Sequence, residues 1–222
     1  MKNLFLFLFL LVVFTSKAQD NRVSGLNSRQ FTKYWKVESE SPDYKVTFQG
    51  DTAEIVSPKG LTLWRKEKMS GKVTIEYDAC VVVESDGDRL SDLNCFWMAS
   101  DPQYPDNLWK REKWRSGIFL NCYSLQLYYL GYGGNHNSTT RFRRYDGDES
   151  GITNPKARPA ILKEYTDAGH LLKPNHWYHI KITNENNRVS YYIDGERLVD
   201  FRDAEPLRDC LLYTSPSPRD RG

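Results

Sequence analysis

The chain has 222 residues, a formal net charge of +2, 39% hydrophobic residues and 14% aromatic residues. This length suits one domain of the larger all-β kind. The nearly balanced charge excludes a protein that holds nucleic acid through a strongly basic surface. The aromatic content is typical of β-strands, because rings fit half-buried pleated surfaces.

The first segment has the pattern of an export signal. Lys2 supplies a positive charge, and residues 4–14 form an unbroken apolar run that is too short to span a bilayer. Residues 16–18 (Ser-Lys-Ala) form a small-x-small cleavage site. We therefore assign residues 1–19 to a signal peptide and expect an exported, periplasmic or extracellular protein without a membrane span.

Residues 44–48 and 72–84 alternate apolar and polar residues with the period of two that is typical of strands, and residues 93–99 form a nearly continuous apolar run. Strands are predicted at residues 44–48, 53–56, 61–64, 72–84, 93–99, 139–145, 161–165, 176–182, 188–193 and 197–201, with one or two more within 117–129. Residues 110–115 are predicted to form a helical turn or an ordered loop, and the segment around Glu38 and Glu40 to be weakly structured. No convincing amphipathic helix is present. The pattern predicts one all-β domain, an antiparallel β-sandwich.

The cysteines lie at positions 80, 95, 122 and 210, and none has a C-x-x-C spacing, so a zinc site is not expected. Buried free thiols are the favoured interpretation for Cys80, Cys95 and Cys122, since cysteine is among the most buried residue types. One disulfide in an oxidising compartment is the alternative.

The end of the chain changes composition. From residue 210 the sequence turns to Ser, Pro and Arg and resembles translated adapter sequence. We expect residues 210–222 to be a non-native, disordered tail and residues 20–209 to form the single domain, with one or more closing strands absent from this copy. A genuine flexible tail is the alternative.

Residues 130–146 carry the most unusual pattern in the chain. Gly131, Gly133 and Gly134 permit positive φ and close approach of a ligand, and a short strand follows them. Because side chains alternate between the faces of a strand, Thr139, Arg141, Arg143 and Tyr145 share one face, and Thr140, Phe142 and Arg144 share the other. Two guanidiniums and a phenol on one face favour an anionic, hydroxyl-rich ligand.

Two further stretches resemble a known superfamily. Residues 175–182 and 191–198 show a Trp-Tyr-x-hydrophobic strand, a polar turn, an aromatic strand and Asp-Gly. This arrangement resembles the last third of concanavalin A-like lectin/glucanase jelly rolls. Residues 93–102 and 131–145 resemble an exported family of unknown function, with the same fold, that is associated with polysaccharide degradation. The resemblance implies a carbohydrate-active jelly roll and supplies no catalytic residues.

The residue types favour chemistry on an acidic polysaccharide. In β-elimination at a uronic acid, a site neutralises the carboxylate and supplies a base and an acid. Arg141 and Arg143 can bind the carboxylate, His136 can act as base, and Tyr145 or Tyr132 as acid. Asn94 and Asn137 can add hydrogen bonds to the substrate, and Trp97 is a candidate aromatic contact. The predicted catalytic set is His136, Tyr145 and Arg143.

Two alternatives remain open. The first is a non-catalytic carbohydrate-binding module, and the second is a glycoside hydrolase of the same fold, which usually needs two carboxylates. The nearest carboxylate motif is Glu76-Tyr77-Asp78, whose third position is Cys80 instead of Glu, so a solvated strand face explains it better.

We expect no cofactor. Asp-Gly-Asp turns at residues 86–88 and 146–148 could contribute oxygens to a structural calcium ion, although each offers few ligands. The expected partner is a polysaccharide or oligosaccharide and not a nucleic acid, and the protein is expected to be a monomer.

Overall fold

The computed structural model describes residues 27–207 with their side chains, and the strands at residues 6–15 and 209–216 as backbone. The strands are, in chain order, β1 Leu6–Thr15, β2 Trp35–Ser39, β3 Lys45–Gln49, β4 Thr52–Ser57, β5 Leu61–Arg65, β6 Met69–Ser70, β7 Val73–Val82, β8 Leu93–Ser100, β9 Gln126–Gly133, β10 Thr139–Asp146, β11 Lys163–Tyr165, β12 Trp177–Glu185, β13 Arg188–Ile193, β14 Glu196–Arg202 and β15 Asp209–Pro216.

The helices of the described chain are short. They are α1 Ser28–Tyr34, α2 Glu112–Arg115, α3 Gly134–Asn137 and α4 Ser150–Thr153, with 3₁₀ turns at Leu108–Arg111, Phe119–Ser124, Pro155–Ala157 and Ala168–His170. No pattern in the sequence predicts α1. It begins with a capping box, because the Asn27 side chain accepts a hydrogen bond from the Gln30 amide and the Gln30 side chain accepts one from the Asn27 amide.

The strands form two sheets. The first sheet has the order β14-β13-β12-β7-β1-β4-β3, and the second has the order β11-β10-β9-β8-β15-β5-β2, with β6 paired to β15. Neighbouring strands in both sheets run antiparallel. The predicted all-β antiparallel sandwich, a jelly roll, is therefore confirmed.

The main hydrophobic core lies between the two sheets. β7 contributes Val73, Ile75 and Tyr77 from its inner face, and all three are at most 4% exposed. The second sheet contributes Trp97 and Phe142, whose rings lie 6.1 Å apart. Each such side chain stabilises the fold by roughly 1.5–3 kcal/mol when it is fully buried. The strict alternation along β7 predicted this arrangement.

A second hydrophobic cluster lies on the outer face of the second sheet. Residues 108–124, which we call the cover segment, pack against this face, so Phe96 and Tyr129 of the sheet contact Phe119 of the segment. A buried ion pair fastens the segment. Arg115 of α2 donates to the Glu38 carboxylate on β2 from Nη2 at 2.6 Å and from Nε at 3.2 Å.

One prediction for this region is confirmed and one is wrong. One or two strands were predicted within residues 117–129, and one strand, β9, begins there at Gln126, after the 3₁₀ helix Phe119–Ser124. The Ser124 hydroxyl donates to the Asn121 carbonyl at 2.7 Å and stabilises that turn. The segment around Glu38 was predicted to be weakly structured, but it forms β2 and pairs with β5.

Two strands fall in segments for which the sequence predicts other roles. β1 lies within the predicted signal peptide and pairs with β4 and β7. β15 begins at Asp209, overlaps the predicted adapter-like tail and lies between β8 and β5. Cleavage of residues 1–19 and the non-native origin of residues 210–222 stay predictions.

The cysteines within residues 27–207 form no disulfide with one another. Cys80, Cys95 and Cys122 are all buried. Burial raises the pKa of the Cys122 thiol to about 12, so this group stays protonated at neutral pH. The favoured interpretation, buried free thiols, therefore holds for these three residues.

Candidate functional site: a cationic pocket on the second sheet

The two faces of β10 have different environments, as the alternation predicts. Phe142 points into the core between the sheets and is 2% exposed. Thr139, Arg141, Arg143 and Tyr145 lie on the outer face, where they line one cavity. The cavity lies beside the cover segment, which supplies part of its wall.

Strand register explains why the floor of this cavity is open. Asn94 of β8 pairs with Gly131 of β9, which in turn pairs with Arg141 of β10. Gly131 has no side chain to fill the space, and the Tyr129 hydroxyl occupies part of it, donating to the Asn94 side-chain oxygen at 3.0 Å. Any larger residue at position 131 would collide with that hydroxyl.

The cavity has a volume of about 130 Å³, and we call it the cationic pocket. Its ten lining residues are Phe119, Tyr123, Tyr129, Gly131, Asn135, Thr139, Arg141, Arg143, Tyr145 and Arg158. Three of these described residues are arginines and none is acidic. The pocket therefore favours a negatively charged group.

Each arginine is held by a different contact. The Nε atom of Arg141 donates to the Glu164 carboxylate at 2.6 Å, and Arg143 donates to the Pro159 carbonyl. The Arg158 guanidinium lies over the Tyr123 ring, 5.8 Å from its centroid. Since only Arg141 is paired with a carboxylate among these contacts, the lining keeps a net positive charge.

Tyr145 is the most buried polar residue of the pocket. It is fully buried among the rings of Tyr123 and Tyr129, and its hydroxyl has no hydrogen-bond partner among the described residues. Burial and these neighbouring phenols raise the pKa of Tyr145 well above its usual value of 10, although Arg143 opposes the shift. The phenol is therefore neutral and can donate a hydrogen bond.

The turn before β10 places two predicted residues outside the pocket lining. Asn135, His136 and Asn137 all have left-handed backbone conformations, with φ between 52° and 57°. His136 is exposed to solvent and does not line the pocket. The Asn137 amide donates to the Leu172 carbonyl at 2.9 Å and accepts from the Leu172 amide at 2.8 Å, so it fastens a neighbouring loop.

Two other predicted residues belong to the core face of the second sheet. Trp97 is fully buried and packs beside Tyr128 at 5.8 Å between ring centroids. Tyr132 is 3% exposed, and its hydroxyl donates to the Leu171 carbonyl at 3.3 Å. The structure thus brings Arg141, Arg143 and Tyr145 together, places Asn94 beside them through Tyr129, and holds Trp97 and Tyr132 on the other side of the sheet.

Two polar residues of the lining, Arg158 and Asn135, were not predicted from the sequence. Arg158 lies in a Gly- and Pro-containing stretch that reads as an exposed loop, and no local pattern distinguishes it from a surface arginine. The contact from Arg143 to Pro159 brings this loop against β10. Asn135 could have been found, because it lies in the glycine-rich turn that the sequence already marks.

The carboxylates considered for other chemistry are engaged elsewhere. Glu76 pairs with Lys181, and Asp78 pairs with His179 at 2.8 Å, on the outer face of the first sheet. Asp88 accepts hydrogen bonds from the backbone amides of Glu84 and Ser85 at 2.7 and 2.8 Å. Among the described residues, no group of three or more His, Cys, Asp or Glu is placed to hold a metal ion.

Comparisons with solved structures show the fold. A protein of unknown function with a galectin-like fold from Bacillus subtilis is 15% identical, with a TM-score of 0.64 over 87% of each chain. The carbohydrate recognition domain of Emp46p in a potassium-bound form is 12% identical, with a TM-score of 0.54 over 86% of this chain and 84% of that chain. A Bacteroides ovatus GH16 protein of a mixed linkage glucan PUL, in complex with a G4G4G3G product, is 12% identical, with a TM-score of 0.50 over 87% and 84%. These similarities confirm the concanavalin A-like fold.

A family model described as "Domain of unknown function (DUF6250)" matches residues 55–212. No curated protein matches the chain. Within the part of the chain that the structure describes, no helix is long and apolar enough to span a membrane.

Proposed function

The chain belongs to the DUF6250 family, and from the chemistry of its own pocket we propose that it is an exported protein that binds an anionic polysaccharide. The observation that carries this proposal is the convergence of Arg141, Arg143 and Arg158 on one cavity without an acidic lining residue. The polysaccharide class is suggested by the carbohydrate recognition domain and the GH16 protein that share the fold.

Binding explains the geometry better than elimination does. The candidate base, His136, is exposed and is not one of the residues that line the pocket. Burial keeps Tyr145 protonated, which suits a hydrogen-bond donor and opposes action as a base. We therefore favour a carbohydrate-binding domain.

A polysaccharide lyase is the second candidate. It is favoured by the juxtaposition of Tyr145, a neutral phenol, with the guanidinium of Arg143 in one cavity. In a lyase, Arg143 would neutralise a uronic acid carboxylate and Tyr145 would protonate the leaving oxygen. The two candidates differ in products, because elimination leaves a double bond that absorbs ultraviolet light.

The test measures retention of the protein in gels that contain charged or neutral polysaccharides. Arg143→Gln should weaken binding to a charged polymer by about ten- to 150-fold, since a charge-assisted hydrogen bond contributes about 1.5–3 kcal/mol. Arg197→Gln is the matched control, because this exposed arginine lies on β14 and pairs with Asp200. Equal retention of both variants, or equal retention in neutral gels, would contradict the proposal.

The same samples distinguish binding from elimination. Absorbance is followed after the protein is mixed with each charged polymer. If the ultraviolet absorbance grows with time for wild type and does not grow for Tyr145→Phe, the pocket is the active site of a lyase and the binding proposal is wrong. Retention without growing absorbance supports the binding domain.

A further inference from the structure

We propose that the group held in the cationic pocket is a sulfate ester of the polysaccharide and not a uronic acid carboxylate. This inference rests on the proposed function, because it names the charged substituent that the same pocket recognises. It follows from the directions of the donors, the size of the cavity and the charge of its lining.

The donors that line the cavity come from two separate elements of the fold. Arg141 and Arg143 lie on one wall, two residues apart along β10, which separates their backbones by about 7 Å. Arg158 comes from the loop after Pro155–Ala157, on a separate element. Tyr145 lines the cavity from the end of β10 and carries a neutral donor, its buried hydroxyl.

This arrangement of donors fits the three terminal oxygens of a sulfate ester better than the two coplanar oxygens of a carboxylate. A carboxylate has two oxygens in one plane, and a single guanidinium can bind both of them with its two parallel N–H groups. A sulfate ester presents three terminal oxygens that point in three directions. Three guanidiniums from two elements, with a phenol, supply donors in that number and arrangement.

Two polar atoms of the lining have no protein partner. The Tyr145 hydroxyl and the Nε atom of Arg158 are both buried and make no hydrogen bond to the described residues. Buried donors without partners destabilise a fold, so they are usually satisfied by water or by a ligand. A group with three terminal oxygens offers these donors an oxygen of their own, whereas a carboxylate has only two oxygens, which it would share with Arg141 or Arg143.

The cavity fits a substituent and not a sugar chain. Its volume is about 130 Å³. Pockets that enclose whole small ligands measure roughly 300–1,000 Å³. The polymer backbone must therefore lie at the mouth of the pocket, with one charged group inside.

The experiment compares gel retention on three polymers. κ-Carrageenan carries sulfate esters and no carboxylate, agarose is a neutral galactan, and polygalacturonate carries carboxylates and no sulfate. We expect retention at a κ-carrageenan concentration about ten-fold or more below that needed for polygalacturonate, and no retention by agarose, since each well-placed ionic hydrogen bond changes affinity about ten-fold.

Arg158→Gln tests the third donor. It should weaken retention by κ-carrageenan about ten-fold or more and change retention by polygalacturonate by less than about three-fold, because the β10 arginines suffice for a carboxylate. Arg197→Gln should change neither. A thermal melt checks that each variant is folded, and Arg158→Lys, which keeps the charge and loses the fork, should fall between wild type and Arg158→Gln.

The outcomes separate this inference from the proposed function. Polygalacturonate retention that equals or exceeds κ-carrageenan retention would overturn the sulfate assignment and leave anionic polysaccharide binding intact. An unchanged sulfate preference in Arg158→Gln would also overturn it. No retention by either charged polymer, or equal retention by agarose, would overturn both proposals.

Discussion

Replacing Arg115 with methionine should destabilise the protein strongly at neutral pH. Arg115 is fully buried and makes two hydrogen bonds to Glu38, which is 5% exposed. The variant keeps the volume of the side chain but leaves the Glu38 carboxylate buried without its counter-charge. Breaking a buried ion pair in this way costs about 3–5 kcal/mol of the free energy of unfolding.

The pH dependence of this loss identifies its cause. Burial raises the pKa of Glu38, and Arg115 opposes that shift, so the pKa should rise further in Arg115→Met. A carboxyl whose folded pKa is raised adds stability below its unfolded pKa, about 4.3. That stability is lost as the pH rises through the folded pKa. The deficit of the variant should therefore be largest at pH 7 and shrink as the pH falls towards 4.3.

Thermal and urea unfolding measure the effect. For a domain of this size the melting temperature changes by about 2–4 °C per kcal/mol, so Arg115→Met should melt roughly 6–20 °C below wild type at pH 7. The control removes both charges with Glu38→Leu and Arg115→Met together, and it should recover most of the lost stability. A single variant within about 1 kcal/mol of wild type, or a deficit that does not change with pH, would refute the reasoning.

Three further substitutions test the architecture around the pocket. Gly131→Ala should cost about 1–3 kcal/mol, since its methyl group meets the Tyr129 hydroxyl; an unchanged urea midpoint would contradict the close approach. Asn137→Ala removes two hydrogen bonds to Leu172 and should cost about 1–3 kcal/mol, with faster amide exchange at Leu172 as the measurement. His136→Ala should leave retention by charged polysaccharides within about two-fold, because His136 does not line the pocket; a larger loss in the gel assay would place it there.

The regular strands could be predicted from local patterns alone. The alternation in residues 72–84 identified β7 and its buried face, and residues 188–193 were predicted with the bounds that the structure shows for β13. The Asp194-Gly195 turn could be predicted because Asp and Gly tolerate the positive φ angles that a tight hairpin turn requires. Both residues have positive φ in the structure. The conformation of such strands and turns is determined by residues that are close together in the sequence, so it can be predicted from the sequence alone.

The cover segment could not be predicted in the same way. Short apolar runs such as Phe119-Leu120 occur in both strands and buried helical turns, and periodicity does not separate them. The deciding contacts are distant in sequence, since Arg115 pairs with Glu38. β2 could not be predicted for the same reason. Its polar residues are typical of a loop, and only the buried contact of Glu38 with Arg115 explains why they form a strand.

The site was predicted in part. Alternation along β10 placed Arg141, Arg143 and Tyr145 on one face, and the structure brings them into one cavity. The alternation along β10 did not predict the conformation of the turn before this strand. His136 has a left-handed conformation in that turn and does not line the pocket. Arg158 depends on how a distant loop folds back, and no local pattern encodes that.

The small volume of the cationic pocket has a consequence for how tightly a polymer is held. One cavity that takes one substituent makes few contacts with each sugar, so a short oligosaccharide should bind weakly. A long polymer repeats the substituent, and neighbouring copies raise its effective concentration beside the pocket after each release. Apparent affinity should therefore grow with polymer length, and several domains on one chain should reinforce each other through avidity.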